Sequence, residues 1–292
     1  KGGRFLLSNQ HSGGGVGNPE RGVKDYSKIL TAFHVCGYTT ELNHLCQWIR
    51  KFGMTSDGDF GPRSQKQRKF DYIYPNAWII MGAHQFGAFD ISQKGMEFLM
   101  RFQDPESGGF YSSLTERGAD TEQDLIYVGF AGLAALYTGR IEVARGVGRW
   151  MKTLLHEQPG FPHELYTVFS RNKGIVTRFE PKEANRYVLS ANVNTGDQFF
   201  YQVGIAGGFL SLLFLATGDK EYLDLAIHYM QFAEVANDHL FTLYRAGKVG
   251  WAASILFGIT EEAKYKNMAI RIGNFLISRQ HPDGYWSQKS EK

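Results

Sequence analysis

Phe98-Leu-Met-Arg-Phe-Gln103, running into Gly108-Gly109-Phe110, is the stretch that decides the fold, because the chain writes it several times. Phe5-Leu-Leu-Ser-Asn-Gln10 runs into Gly13-Gly14-Gly15, and Phe275-Leu-Ile-Ser-Arg-Gln280 runs into Asp283-Gly284-Tyr285-Trp286. Looser copies are Trp48-Ile-Arg-Lys-Phe52 with Asp57-Gly58-Asp59-Phe60, and Trp150-Met-Lys-Thr-Leu154 with Gln158-Pro159-Gly160-Phe161. Successive copies lie about 43 to 55 residues apart, a period typical of stacked supersecondary units that cannot bury their apolar faces alone.

Between the phrases lie small-residue, apolar segments at 74–87, 124–139, 201–218 and 244–258, with a more polar version at 25–37. Each ends in Gly, the residue that enters the left-handed region freely just past a helix. Apolar nearly all round, they read as helices buried on every side. Their Gly and Ala content lowers helix propensity and lets neighbouring helices approach closely. Amphipathic partners follow at 141–155, 221–234 and 262–278, with Leu223, Ala226, Ile227, Met230 and Ala233 on one face of the second. The unit is an inner helix, a Gly turn, an outer helix and the Gln/Gly-aromatic phrase. Five inner helices and six outer-helix ends can be counted, the sixth being the partial copy at Phe5. Dry inner helices favour a closed ring over an open solenoid. The expectation is an all-α fold, an α/α toroid of five to six helical hairpins forming one domain over 1–292.

One segment breaks the rhythm. Residues 162–197 show no helix pattern; 164–170 and 175–179 flank Arg171-Asn-Lys-Gly174 and read as a β-hairpin. So long an insertion in a compact domain commonly carries function. It joins an outer helix to the next inner helix, so it should lie over one mouth of the ring, as a brace or as a lid.

The composition excludes some classes. The 292 residues carry a net charge of +3 with no basic stripe, which argues against a nucleic-acid partner. No apolar run of 18 residues occurs, so no membrane-inserted helix is expected. Cys36 and Cys46 read as buried small residues without a disulfide, which points to a cytoplasmic protein. The chain starts at Lys1 and its first copy lacks a helix start, as a fragment or processed form would. With 22 Phe, 15 Tyr and 5 Trp, the aromatic content exceeds what packing asks for and suits an aromatic-lined chamber.

The repeated Phe-Leu-x-x-x-Gln followed by Gly-x-Trp resembles the QW repeat of squalene-hopene cyclases, and the arrangement resembles the α/α toroid of terpenoid cyclases and protein prenyltransferase β subunits. Gln280 with Gly284-Tyr285-Trp286 is the best copy. The resemblance implies a central cavity and an acid at the start of an inner helix, where Asp120-Thr-Glu-Gln-Asp124 stands. The family's Asp-x-Asp-Asp acid motif, its diphosphate-binding aspartate motif and the prenyltransferase Asp-x-Cys zinc pair are absent. Neither zinc nor another cofactor is expected.

Chemistry is to be sought where the inner helices begin. Asp120, Glu122 and Asp124 are crowded carboxylates; capping explains one of them, and mutual repulsion would turn another into a proton donor. Asp197 opens the next such helix, before Phe199, Phe200 and Tyr201. Asp71 with Tyr74, and Tyr244 with Arg245 and Lys248, make two further sets. The basic pair would salt-bridge acids across the ring or hold a substrate carboxylate or phosphate. His163 and His239 lie on mouth loops and suit acid–base work, whereas His34 and His84 read as core residues. Trp78, Tyr127, Phe130, Tyr201 and Trp251 are candidate walls.

Two enzymatic readings result. In the leading one, a cofactor-independent cyclase or isomerase folds an apolar polyene- or terpenoid-like small molecule in an aromatic cavity. Asp120, Glu122, Asp124 or Asp197 would serve as the acid. In the alternative, a carbohydrate-active toroid (uronate lyase, hydrolase or epimerase) stacks sugars on aromatics and binds carboxylates through Arg171, Arg178, Arg186, Arg245 and Lys248. A non-catalytic binding toroid ranks third. The oligomeric state is not readable.

Overall fold

The computed structural model describes residues 1–18, 22–63, 73–111, 115–192 and 198–287, and the statements below concern these. Asp71 and Asp197 lie outside them.

The chain opens with a short helix α1 (Gly2–Leu7), then α2 (Val23–Tyr26), α3 (Ile29–Cys36) and α4 (Thr39–Trp48), whose end winds into a π-helical turn at Ile49–Gly53. Next come α5 (Ile73–Phe86), α6 (Phe89–Met100), the two-residue strand β1 (Gln123–Asp124), α7 (Leu125–Tyr137) and α8 (Ile141–His156). The insertion supplies β2 (Glu164–Tyr166), β3 (Val168–Ser170), β4 (Gly174–Ile175), α9 (Pro181–Tyr187) and β5 (Val188–Ser190). Two hairpins finish the chain: α10 (Tyr201–Thr217) with α11 (Lys220–Val235), and α12 (Gly247–Thr260) with α13 (Ala263–Ser278).

Five inner helices, α3, α5, α7, α10 and α12, stand side by side in chain order, each backed by its own partner α4, α6, α8, α11 or α13. This is the expected α/α toroid. Every residue of α7 from Leu125 to Ala135 is buried, and most of α10 is too. Such helices form because their small residues let backbones meet. At Gly204 of α10 an added Cβ would lie 2.5 Å from the backbone of Lys248, and one turn on at Gly208 it would overlap the Trp251 ring. These two glycines therefore seat the start of α12. Inner helices α12 and α3 hardly touch. Closure comes from the outer layer, where α1 lies against α3 and the Gly284 turn packs onto the backbone of Lys1. No residue of α1 is buried.

The repeated phrase proves to be a clasp between neighbouring hairpins. Gln10 Nε2 donates to Gly14 O (3.0 Å) and to Glu41 O of α4 (2.8 Å). Gln103 Nε2 does the same to Gly108 O and to Val143 O of α8 (both 3.1 Å), and Gln280 Nε2 donates to Gly284 O (2.9 Å). The glycines of these turns have φ of +89°, +79° and +100°, in the region that costs other residues about 1–2 kcal/mol. They also press on the next outer helix: a Cβ at Gly14 would sit 2.5 Å from His44 O, and one at Gly108 would overlap Gly146 O.

Some expectations need correction. The insertion is not helix-free: α9 starts with Pro181 at its first turn, where a missing N–H costs nothing. The hairpin over Arg171 to Gly174 exists as β3–β4, but β2 pairs with β5 and β1 joins the edge of β3, so the insert forms two small antiparallel sheets. Helix α12 runs through Gly258 and stops at Glu261, which takes the left-handed conformation (φ +59°) without being Gly. Cys46 is buried, and burial raises its thiol to about 11, but Cys36 is exposed. His34 is exposed too, while half-buried His84 shares a hydrogen bond with Ser92 Oγ at 3.1 Å. No helix among the described residues is long and apolar enough to cross a membrane.

Candidate active site

The inner helices run parallel, so their N-terminal ends share one lip of the ring. Below this lip opens a cavity of about 320 Å³. Trp78 and Met81 of α5, Phe130 and Leu133 of α7, Ile205 of α10 and Trp251 of α12 form its wall; Thr31 and Lys248 stand at the top, Gln85 and Tyr137 deeper. From Tyr74 to Gln85 the helix rises about 16 Å. The well is aromatic: Trp78 and Phe130 rings are 5.3 Å apart, and Tyr74 meets Phe130 edge-on at 4.7 Å. The hydroxyl of Thr31 and the indole N–H of Trp78 are buried without closing a hydrogen bond of normal geometry.

The lip gathers charged side chains on aromatic rings. Tyr74 sits in the first turn of α5 with the Lys28 ammonium 5.1 Å from its ring centre. Lys248 lies 4.7 Å over the Tyr201 ring and Arg245 4.5 Å over the Phe199 ring. Arg186, brought in by α9, donates to the Tyr127 hydroxyl and faces the rings of Tyr187 and Phe199. Gln202 Nε2 holds the Arg186 carbonyl at 2.6 Å and fixes this end of the insert to α10.

These neighbours split two tyrosines. Burial pushes the Tyr74 hydroxyl up, but Lys248 and Lys28 outweigh it and hold the group below the usual tyrosine value of 10.0. Tyr201, also walled in, is raised by burial, and a negative Tyr74 adds to that; Arg245 opposes it. Lys248 is lowered from 10.5 by burial and by the like charges of Lys28 and Arg245, against the pull of Tyr74. Two hydroxyls whose surroundings drive them apart are suited to base and acid roles.

The structure thus brings together six of the anticipated residues, Tyr74, Trp78, Tyr127, Tyr201, Lys248 and Trp251, with Arg245 at the edge. It does not gather the acidic string. Asp120 is an exposed turn residue that accepts from Asn172 Nδ2 at 3.2 Å. Glu122 lines a second pocket with Arg178, Glu180, Glu183 and Tyr187. Asp124 is buried and caps α7, accepting from Ile126 N at 2.8 Å. Gln123 between them is spent on Asp104, a buried carboxylate that also receives Ser107 and Arg171. His163 is exposed in the turn before β2, and His239 is half-buried in a short 3-10 turn at Asp238–Thr242. Lys28 was missed by the sequence reading. Aligning the starts of the inner helices would have found it, since it precedes Ile29 as Gly247 and Lys248 open α12.

Compared with protein-family models and with curated protein sequences, the chain matches none. Solved structures do resemble it. A D-mannose isomerase shares 12% identity with a TM-score of 0.67, covering 97% of this chain and 86% of its own. A cellobiose 2-epimerase from Spirochaeta thermophila shares 11% (TM-score 0.67; 97% and 84%). An inactive double-aspartate variant of an α-1,6-mannanase from a Salegentibacter species, in complex with a mannotetrose, shares 13% (TM-score 0.64; 97% and 88%). At these identities the likeness shows the fold. What these neighbours share with the chain is the α/α toroid, and the likeness to terpenoid cyclases goes no further than that coarse architecture.

Proposed function

We propose that this protein is a carbohydrate-active isomerase or epimerase that moves a proton next to a sugar carbonyl inside the toroid. The observation that carries this reading is the pair of tyrosines on one lip, Tyr74 beside two ammonium groups and Tyr201 in a setting that keeps its proton. Tyr74 as phenolate takes the proton from the carbon beside the carbonyl of an open-chain sugar. Tyr201 hydrogen-bonds the carbonyl oxygen and gives it a proton as the enediol forms; Lys248 stabilises the charge in between. Returning the carbon-bound proton to the neighbouring carbon, while Tyr201 recovers its proton from the other enediol hydroxyl, yields the isomer; returning it to the other face of the same carbon, while Tyr201 takes back the proton it gave, yields the epimer. Trp78 and Trp251 stack on the sugar, and the insert with Arg186 and Tyr187 walls the mouth. A volume of about 320 Å³ lies near the lower bound for small-molecule sites (~300 Å³) and suits one or two sugar rings.

The hydrolase version of the carbohydrate reading has less behind it. The mannanase neighbour is an inactive variant after two aspartates are replaced. Here Asp124 caps α7 through one carboxylate oxygen while its other oxygen is buried, and Asp120 is a surface residue that accepts from Asn172, which is unlike a pair of carboxylates facing one glycosidic bond.

The test is solvent-deuterium incorporation into a panel of aldoses and ketoses. Label at the carbon beside the carbonyl is expected, falling roughly 100-fold or more in Tyr74→Phe with the melting temperature retained. Full exchange in Tyr74→Phe would remove that residue from the mechanism, and turnover of a polyene with no exchange into any sugar would restore the apolar reading.

A further inference from the structure

Among the described residues, three cations on the lip, Lys28, Arg245 and Lys248, form no ion pair with a carboxylate. Lys28, Arg245 and Lys248 converge from the starts of α3 and α12, each resting on an aromatic face: Tyr74 at 5.1 Å, Phe199 at 4.5 Å and Tyr201 at 4.7 Å. An aromatic face steadies a cation but leaves its charge in place. Basic residues outside the lip have acidic partners of their own. Arg171 is bound to Asp104 and Glu106, Lys264 to Glu234, and Arg271 to Asp238. The charges that act on Lys248 are those of Lys28, Arg245 and Tyr74, with no carboxylate among them. The like charges of Lys28 and Arg245 repel that of half-buried Lys248. Folds retain such a cluster where an anion relieves it.

We infer that the substrate is an acidic sugar whose carboxylate or phosphate docks between Lys28, Arg245 and Lys248 while its ring enters the aromatic well. This rests on the sugar reading above and narrows it. The geometry assigns the parts: Arg245 and Lys28, both exposed at the rim, capture the anion, and Lys248, one layer deeper, faces both the anion and the reacting carbonyl. Of the arginines named from sequence, Arg171 is tied down by its acids, and Arg178 lines a second pocket with Glu122, Glu180 and Glu183.

Calorimetric titration of the whole protein decides the matter, using glucuronate, glucose 6-phosphate, glucose and inorganic phosphate. At least one acidic sugar is expected to bind about ten-fold or more tighter than glucose, with affinity falling as salt is raised. The acidic sugar that binds tells carboxylate from phosphate. Arg245→Gln and Lys28→Gln should each erase most of that preference, and Arg245→Lys should keep much of it; melting temperatures report that all three variants fold. If glucose binds as well as both acidic sugars, the anion inference is overturned and the sugar reading survives. If no sugar binds while phosphate alone does, and Arg245→Gln abolishes it, the anion site stands and the sugar reading falls. Undiminished acidic-sugar binding in both glutamine variants overturns the assignment of the pocket.

Discussion

Two arcs of the ring use the same residue, glutamine at the end of an outer helix, for different ends. In the regular arc Gln10 and Gln103 tie their own Gly turn to the next outer helix, and the turn lies flat on that helix. In the other arc Gln158 donates to Leu154 O and Tyr166 O (3.0 and 2.9 Å) and accepts from Tyr166 N (2.8 Å), so it pins strand β2. At the end of α11 Asn237 likewise turns to the insert, donating twice to Ala191 O. The clasp is given up where the insert is anchored, and the insert delivers Arg186 to the lip. The regular arc supplies rigidity and the irregular arc supplies the mouth.

The sharpest way to break this distinction is at the clasp glycine. Gly108→Ala combines a left-handed φ of +79° with overlap on Gly146 O, and should cost roughly 3–5 kcal/mol in denaturant unfolding. Gly139→Ala, at φ +75° with open space around it, should cost only about 1–2 kcal/mol. Equal losses would mean that backbone strain alone matters and that the contact between hairpins does not. A milder test exchanges the glutamines. Gln103→Ala should lower global stability by about 1–2 kcal/mol and leave ligand binding alone. Gln158→Ala should lose less stability, but should expose residues 164–190 to protease and weaken binding. Identical behaviour of the two variants would erase the contrast between the arcs. The smallest effect is in pH. Tyr74 and Lys248 both have folded values below the ordinary 10.0 and 10.5. Between the folded and unfolded values the unfolded chain holds more protons, so stability attributable to this pair rises as pH climbs from neutral toward about 10 and is lost as pH falls. Urea midpoints of the wild type and of Tyr74→Phe should therefore draw apart with rising pH; parallel curves would place Tyr74 outside the charged cluster.

The ring was legible because one turn geometry imposes one spelling: a Gln to reach two carbonyls, a Gly that alone fits the turn, an aromatic to fill beneath it. The lip was legible where it follows from that frame, since helix starts such as Tyr74, Tyr201 and Lys248 must share it; that it is the working site is the proposal. What escaped depended on tertiary placement. Lys28 matters only because ring closure carries the start of α3 close to that of α12. The acidic string was misread because its members adopt different local structures, with Asp120 in a turn and Asp124 in a cap. Helix α9 is too short for an apolar period to show, and the end of α12 was misplaced because Gly258, with nothing near it, is simply a residue inside a helix.

The thin seam between α3 and α12 has a consequence for energetics. Lys28 and Lys248 flank it, and both act on Tyr74. A guest held by both would staple the ring where it opens most easily, so occupancy and resistance to unfolding rise together, by RT ln(1 + [L]/Kd). Hydrogen exchange along α1 and the exposed flank of α13 would register the guest's arrival far from where it sits.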